Sequence, residues 1–342
     1  MRRLVQGALA GLVGLALAAG AVRPAGAATE IVFLSWGGLY HDIFRPVADD
    51  FEKETGIKVT FAVQSGAKDG LNKLMAQRNN PQVDVWASIE GTARAAAEAG
   101  LLSELRVEQI PNLAAIPKQY LTPTAAAIWL SPRGIFYRKD LVPFEITKWE
   151  DLWDPRLEGK VGTSFVLDTG NFLVMAALIN GGSETNVEPG FEKMKQLKPN
   201  LALFYKTDPE SIKFLEAGEI AVAGWGILPN VYRHLGPGSK YRFVMPAKPQ
   251  FLANIPVSIV KGRGAEQEAA AQKFVNFLLS KGAQEKMVAV AGTIPVNPAA
   301  KPPDTIKDMI PPLEHVYQVD WGVVNANYSR WEDRWNREVQ TR

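Results

Sequence analysis

Residues 30–40 read EIVFLSWGGLY. An apolar run, Ile31 to Leu34, stops at Ser35 and Trp36, and Gly37 and Gly38 follow at once. The next stretch, YHDIFRPVADDFEKETG, places Ile43, Val47 and Phe51 on one helical face, with Gly56 where a helix-ending glycine belongs. IKVTF predicts a second strand, DGLNKLMAQRNN a helix stopped by Asn80-Pro81, VDVWASI a buried strand, and GTARAAAEAG a helix ending at Gly100. Strand and helix alternating at this spacing predict βαβ units and a largely parallel sheet, so the chain is of the α/β class.

The middle of the chain repeats the pattern. GIFYRKD (134–140) is a predicted strand, and Thr147 with Glu150 reads as a capping box for KWEDLW. NFLVMAALING is an apolar helix. DPESIKFLEAG carries Asp208 as N-cap, Pro209 next to it and Gly218 at its end. EIAVAGWG and NIPVSIV are strands, and the stretch from Glu266 to Gly292 is helical. In SRWEDRWNREV, Trp331 and Trp335 stand four apart and predict the docking face of a terminal helix.

Residues 1–27 stand outside this pattern. Arg2 and Arg3, an apolar Ala- and Gly-rich run and Ala25-Gly26-Ala27 have the layout of a cleaved export signal, so the mature chain is expected to begin at Ala28. Arg2, Arg3 and Arg23 are three of the 38 basic residues, which leaves 35 against 36 acidic ones and a net charge of −1. That balance gives no footprint for nucleic acid or an anionic membrane. The 342 residues contain no cysteine, which excludes a thiol catalyst, a Cys-ligated zinc and a lipoprotein anchor.

Gly37-Gly38 opens no nucleotide loop: Leu39, Tyr40, His41 and Asp42 follow, so G-x-G-x-x-G is absent. G-x-x-x-x-G-K-[ST] and G-x-S-x-G are also absent, and His41, His234 and His315 are scattered. A secreted hydrolase would need one of these histidines beside a serine, and a binding protein is expected instead of an enzyme.

SWGGLY, FEKETGIKV, LVPFEITKWEDLWDPRLEGKVG and KFVNFLLSKGAQEKM resemble, in this order, bacterial periplasmic solute-binding proteins of ABC importers, most of all their spermidine/putrescine-binding branch. The resemblance covers nearly all of the chain after residue 27. It implies a two-lobed periplasmic binding protein fold (type II) with the ligand cleft between the lobes. Lobe 1 would hold 28–133 plus 252–300, and lobe 2 would hold 134–251 plus 301–342. It implies a periplasmic monomer without cofactor or metal, which captures a small-molecule ligand and delivers it to an ABC permease and its ATPase subunits.

A small polar solute leaving water needs partners for its charges and a wall for its carbons. Ser35, Trp36, Gly37, Tyr40 and Trp225 lie at or just beyond strand ends, where open α/β sheets bind ligands. Trp36 and Trp225 would wall the carbons and attract an ammonium group, or else belong to the lobe cores. The resemblance puts Asp168 where polyamine binders hold an amine; a helix N-cap is the other reading. The branch's further acids are here Asn171 and Asn254, which weakens a long polycation as ligand. Glu90 would supply an acid, or lie on a solvated loop. Arg133 points the other way: a buried guanidinium would bind a carboxylate or phosphonate, or form a salt bridge at the hinge. The expected solute is thus a polyamine such as putrescine or spermidine. The alternative is a zwitterion, namely 4-aminobutyrate, an amino acid or an aminophosphonate. Ferric iron ranks third, because Tyr137, Tyr205, Tyr232 and Tyr241 are dispersed.

Overall fold

The computed structural model describes residues 29–166, 170–312 and 315–341. The export signal expected over 1–27 lies outside them. The strands are β1 (Glu30–Trp36), β2 (Lys58–Gln64), β3 (Val85–Ala87), β4 (Leu102–Ser103), β5 (Leu121–Thr122), β6 (Ala125–Arg138), β7 (Val161–Thr163), β8 (Leu201–Phe204), β9 (Val222–Ile227), β10 (Tyr241–Val244), β11 (Phe251–Val260) and β12 (Ile294–Pro295). The helices are α1 (Leu39–Thr55), α2 (Ala67–Ala76), α3 (Glu90–Glu98), α4 (Asn171–Leu178), α5 (Glu188–Leu197), α6 (Asp208–Ala217), α7 (Leu228–Val231), α8 (Ala265–Leu278), α9 (Lys281–Ala291) and α10 (Trp321–Trp335).

The main strand order is β2-β1-β3-β11-β6-β9-β7-β8. β1 runs parallel to β2 and β3 at one end, and β7 runs parallel to β8 and β9 at the other. Between them β11 and β6 are antiparallel to each other and to their outer neighbours. The sheet is therefore mixed, not largely parallel. The βαβ signals describe each end correctly, whereas β6 and β11 tie the two ends together.

β6 is longer than the strand expected at 134–140. It begins at Ala125, because AAAIWL is a continuous apolar run that can be buried on both faces. Its first part pairs with β11 and its last part with β9 and β10. Arg133 stands at the exchange, opposite Phe251 on one side and Ile227 on the other.

Two large apolar clusters fill the molecule, and the first runs from β1 and α1 across to α6, β9 and α7. Phe33 packs edge-on against Phe44 of α1 and Phe274 of α8, with centroids 4.9 and 5.3 Å apart. Trp149, Phe172, Phe191, Trp225, Trp331 and Trp335 form the second cluster. The docking face expected for the terminal helix is present: Trp331 and Trp335 of α10 are buried in that cluster.

Local details differ from the sequence reading where a side chain had two uses. Asp151, not Glu150, closes the turn at Trp149–Trp153, accepting from the Thr147 and Lys148 amides at 2.7 and 3.0 Å. Thr207, not Asp208, caps α6 and accepts from the Glu210 amide. The helical stretch after β11 is two helices, α8 and α9, with Ser280 capping the second.

Gly134 follows Arg133, and a Cβ there would lie 2.0 Å from the Val244 carbonyl oxygen. That neighbour is backbone and cannot swing away. Gly134→Ala is expected to destabilise the fold by about 1–3 kcal/mol, the usual cost of overpacking. A lower urea midpoint at unchanged slope would report it; an unchanged midpoint would contradict it.

Candidate functional site

A cavity opens at the centre of the sheet, where the two ends meet. Glu90 reaches it from the first turn of α3, and Tyr120 and Leu130 line it as well. Arg133 of β6 and Phe251 and Asn254 of β11 come from the crossing strands. Asn171 of α4 and Trp225 of β9 also line it. Tyr317, Gln318 and Trp321 close it from the C-terminal segment.

Glu90 is the acid among the described residues that line this cavity. Its Oε2 accepts from Asn254 Nδ2 at 2.7 Å. Burial is the largest influence on its carboxyl and pushes the pKa above the ordinary glutamate range. Trp321, Asn254 and Arg94 each oppose that rise. The carboxylate is thus short of water and stabilised by donors that an ammonium group would outmatch.

Arg133 is the base of the cavity and is 4% exposed. Its Nη1 stands 3.8 Å from Asp208 Oδ1, and both side chains are buried. The same Asp208 oxygen accepts from the Ile227 amide at 3.3 Å. This explains why Asp208 does not cap α6: its carboxylate turns inward to face a buried guanidinium.

Trp225 is fully buried. Trp149, Phe251 and Phe172 enclose it, with ring centroids 5.3, 5.3 and 5.8 Å away. Tyr205 fixes its backbone, donating to the Trp225 carbonyl at 2.7 Å and accepting from its amide at 3.2 Å. Trp225 therefore does not offer the cavity an open ring face. Its Nε1 has no partner among the described residues, nor have Asn171 Oδ1 and Asn254 Oδ1. Unpaired buried polar atoms are costly, and those in a cavity wall await a polar ligand or water.

Of the residues singled out in the sequence, Glu90, Arg133, Asn171, Trp225 and Asn254 share this cavity. Ser35, Trp36, Gly37 and Tyr40 are not among the residues that line it. Trp36 packs at a tilt on Tyr40 with centroids 4.8 Å apart, and Tyr40 in turn lies against Trp129. Ser35 is buried, and its Oγ donates to the Trp36 carbonyl at 3.3 Å. A Cβ on Gly37 would sit 3.2 Å from Val63, so that glycine permits close chain approach at the sheet edge. Asp168 lies outside the described residues. Sequence reading missed Tyr120, Phe251, Tyr317, Gln318 and Trp321. The last three follow a proline-rich stretch with no periodic pattern, and only Asp320, the N-cap of α10, marks the place locally.

Two α/β lobes around one polar cavity define a solute-binding protein. The chain belongs to the family of bacterial extracellular solute-binding proteins, whose model matches residues 47–310. It is 26% identical, over 97% of its length and 99% of the relative's, to a Salmonella typhimurium protein named "putative 2-aminoethylphosphonate-binding periplasmic protein". It is also 26% identical, over 80% of its length and 78% of the relative's, to spermidine/putrescine-binding periplasmic protein 1 of Haemophilus influenzae. Among solved structures, an ABC transporter protein from Clostridium perfringens superposes with a TM-score of 0.74 at 26% identity, covering 90% of this chain and 99% of that one. The spermidine/putrescine substrate-binding protein of Streptococcus pneumoniae has the same fold, with a TM-score of 0.75 at 19% identity over 91% of this chain and 99% of its own.

Proposed function

We propose that this protein captures, in the periplasm, a short solute carrying an ammonium group and an oxyanion, and delivers it to an ABC permease. The observation that carries this reading is that one cavity holds a buried acid, Glu90, and a buried guanidinium, Arg133. Glu90 takes the ammonium. Arg133 and the Trp225 N–H supply donors for the anion, and Asn171 stands beside them at the first turn of α4, whose dipole favours negative charge. Glu90 is the one acid among the described residues that line the cavity, and a short solute suits a single acid better than a long polycation. The relative named for 2-aminoethylphosphonate, matched end to end, supports the same class.

A second reading keeps a polyamine as solute. It is favoured by Asp208, which already balances the charge of Arg133, and by the relatives named for spermidine and putrescine. Ferric iron remains the third reading, since Tyr137, Tyr205, Tyr232 and Tyr241 are not among the described residues that line the cavity. In either reading the hinge lies where β6 and β11 change lobes, near residues 133–134 and 251–252. The lobes are then 28–133 with 252–300, and 134–251 with 301–342. Closure about such strands is the usual hinge mechanism.

Thermal unfolding with 2-aminoethylphosphonate, 4-aminobutyrate, putrescine and spermidine tests these readings. A solute at 100 times its dissociation constant is expected to stabilise the fold by about 2.7 kcal/mol. A shift with the zwitterions is expected. A shift with the polyamines alone would transfer the assignment to them, and no shift with any amine would sink both.

A further inference from the structure

The terminal helix α10 is built on one part of the molecule and touches another. Its buried residues, Trp321, Val324, Trp331 and Trp335, pack with Trp149, Phe172 and Trp225. Its last turn is tied to α5: Arg334 pairs with Glu188, and its guanidinium lies 4.0 Å from the centre of the Phe191 ring. Beyond the helix, Lys198 Nζ donates to the Thr341 carbonyl at 2.7 Å. α2 and α3 are built elsewhere. Leu74 of α2 and Ala96 of α3 pack with Leu34, Trp86 and Val260. Among the described residues these two apolar clusters share no member.

Yet the first half of α10 lies across α3 and α2. Asn325 Nδ2 donates to the Gly91 carbonyl of α3 at 3.1 Å. A Cβ on Gly91 would stand 2.8 Å from Trp321 Cε3, so the indole rests directly on the α3 backbone. A Cβ on Gly322 would stand 3.3 Å from Arg94 Nη2, so α10 in turn leaves room for an α3 side chain. Three residues on from Asn325, the centre of the Tyr328 ring lies 4.9 Å from Lys68 Nζ of α2, and the ring stacks on Phe165 with centroids 5.4 Å apart. Lys68 is exposed, and Asn325 and Tyr328 are half-buried. None of the three lines the solute cavity. One hydrogen bond and one exposed cation–π contact are each weak, which suits a joint that opens and closes.

We propose that α10 is a latch between the lobes: Asn325 and Tyr328 grip α3 and α2 while the cleft is shut and release them when it opens, setting the balance of the two forms without touching the solute. This rests on the lobe division and hinge of the proposed function, and not on which solute is bound. α10 moves with the lobe that carries α5, whereas α2 and α3 move with the lobe that carries β1 and β3. Glu90 at the start of α3 and Trp321 at the start of α10 line the same cavity, so a rotation that opens the cavity parts the two helices. A contact made in only one of two forms shifts the population towards that form. The affinity for every solute then changes by the same factor.

The chain has no cysteine, so Asn79→Cys beyond α2 and Gln196→Cys on α5, both at exposed positions, place one spin label on each lobe. Pulsed electron resonance then reads the separation of the lobes, without solute and with 2-aminoethylphosphonate or putrescine added. In the double variant Lys68→Ala, Asn325→Ala the solute-free population is expected to move towards the open separation. Affinity for each solute that binds is expected to fall by one common factor, about fivefold to tenfold. Asn325→Asp, which sets a carboxylate against the Gly91 carbonyl, is expected to act in the same direction by itself. A folded double variant that keeps the wild-type separations in both conditions overturns the latch. A loss of affinity for one solute and not the other also overturns it, because the residues would then be acting on the solute. Labels that keep one separation in the wild type whether or not solute is bound would instead remove the closure reading, and the latch with it.

Discussion

Glu90→Gln is expected to lower affinity for any ammonium-bearing solute about a hundredfold, while making the solute-free protein more stable at neutral pH. The first effect follows from removing one member of a buried charge pair, which typically costs 2–5 kcal/mol of binding. The second follows from burial. The Glu90 carboxyl titrates above its ordinary range in the folded protein because burial penalises its charge. A raised folded-state pKa means that the folded chain holds this proton more tightly than the unfolded chain. The favourable contribution is then complete below the unfolded glutamate pKa and is lost as pH rises through the folded one. Glutamine has no proton to lose. The stability difference between variant and wild type should therefore be largest near neutral pH and shrink on acidification towards the ordinary glutamate range. Denaturant unfolding across that range checks the sign, and calorimetric titration checks the affinity. A variant less stable than wild type at neutral pH would mean that Glu90 is already paired without solute.

Arg133→Ala is expected to abolish binding of an aminophosphonate or amino acid and to destabilise the fold by about 3 kcal/mol, the scale for breaking a buried ion pair. Among the described residues the acid left behind is Asp208, which is buried and 3.8 Å from the guanidinium. Its unbalanced charge is the main cost, so the double variant Arg133→Met, Asp208→Leu should recover much of the stability but none of the oxyanion binding. The same single variant discriminates the two solute readings. Loss of Arg133 frees an acid near the cavity, so polyamine binding should survive or improve. If Arg133→Ala binds zwitterions as the wild type does, then Arg133 serves only the crossing between lobes.

Much of the architecture was legible because its signals are local. The βαβ periodicity of the opening stretch, the helix-ending glycines at 56 and 218 and the tryptophan pair at 331 and 335 all correspond to elements that form and bury as expected. The two capping errors have one cause. Asp208 and Glu150 satisfied a local capping rule, but a side chain able to cap can also pair at a distance. Burial of Arg133 decided the first case, and the better reach of Asp151 the second. The SWGGLY stretch shows the same limit. Its place at the end of β1 and the start of α1 was readable, whereas the packing of Trp36 and Tyr40 towards Trp129 was not.

The sequence by itself determined the α/β class, the order of elements and the set of polar residues from which a site could be built. These follow from spacing along the chain, where neighbours interact whatever the rest of the molecule does. Only the tertiary structure decided that Glu90, Arg133, Asn254 and Trp321 meet in one cavity. They are brought together by two antiparallel strands that cross the sheet and by a terminal helix laid over Gly91. Such meetings depend on which apolar faces bury against each other, and no local pattern along the chain encodes that choice.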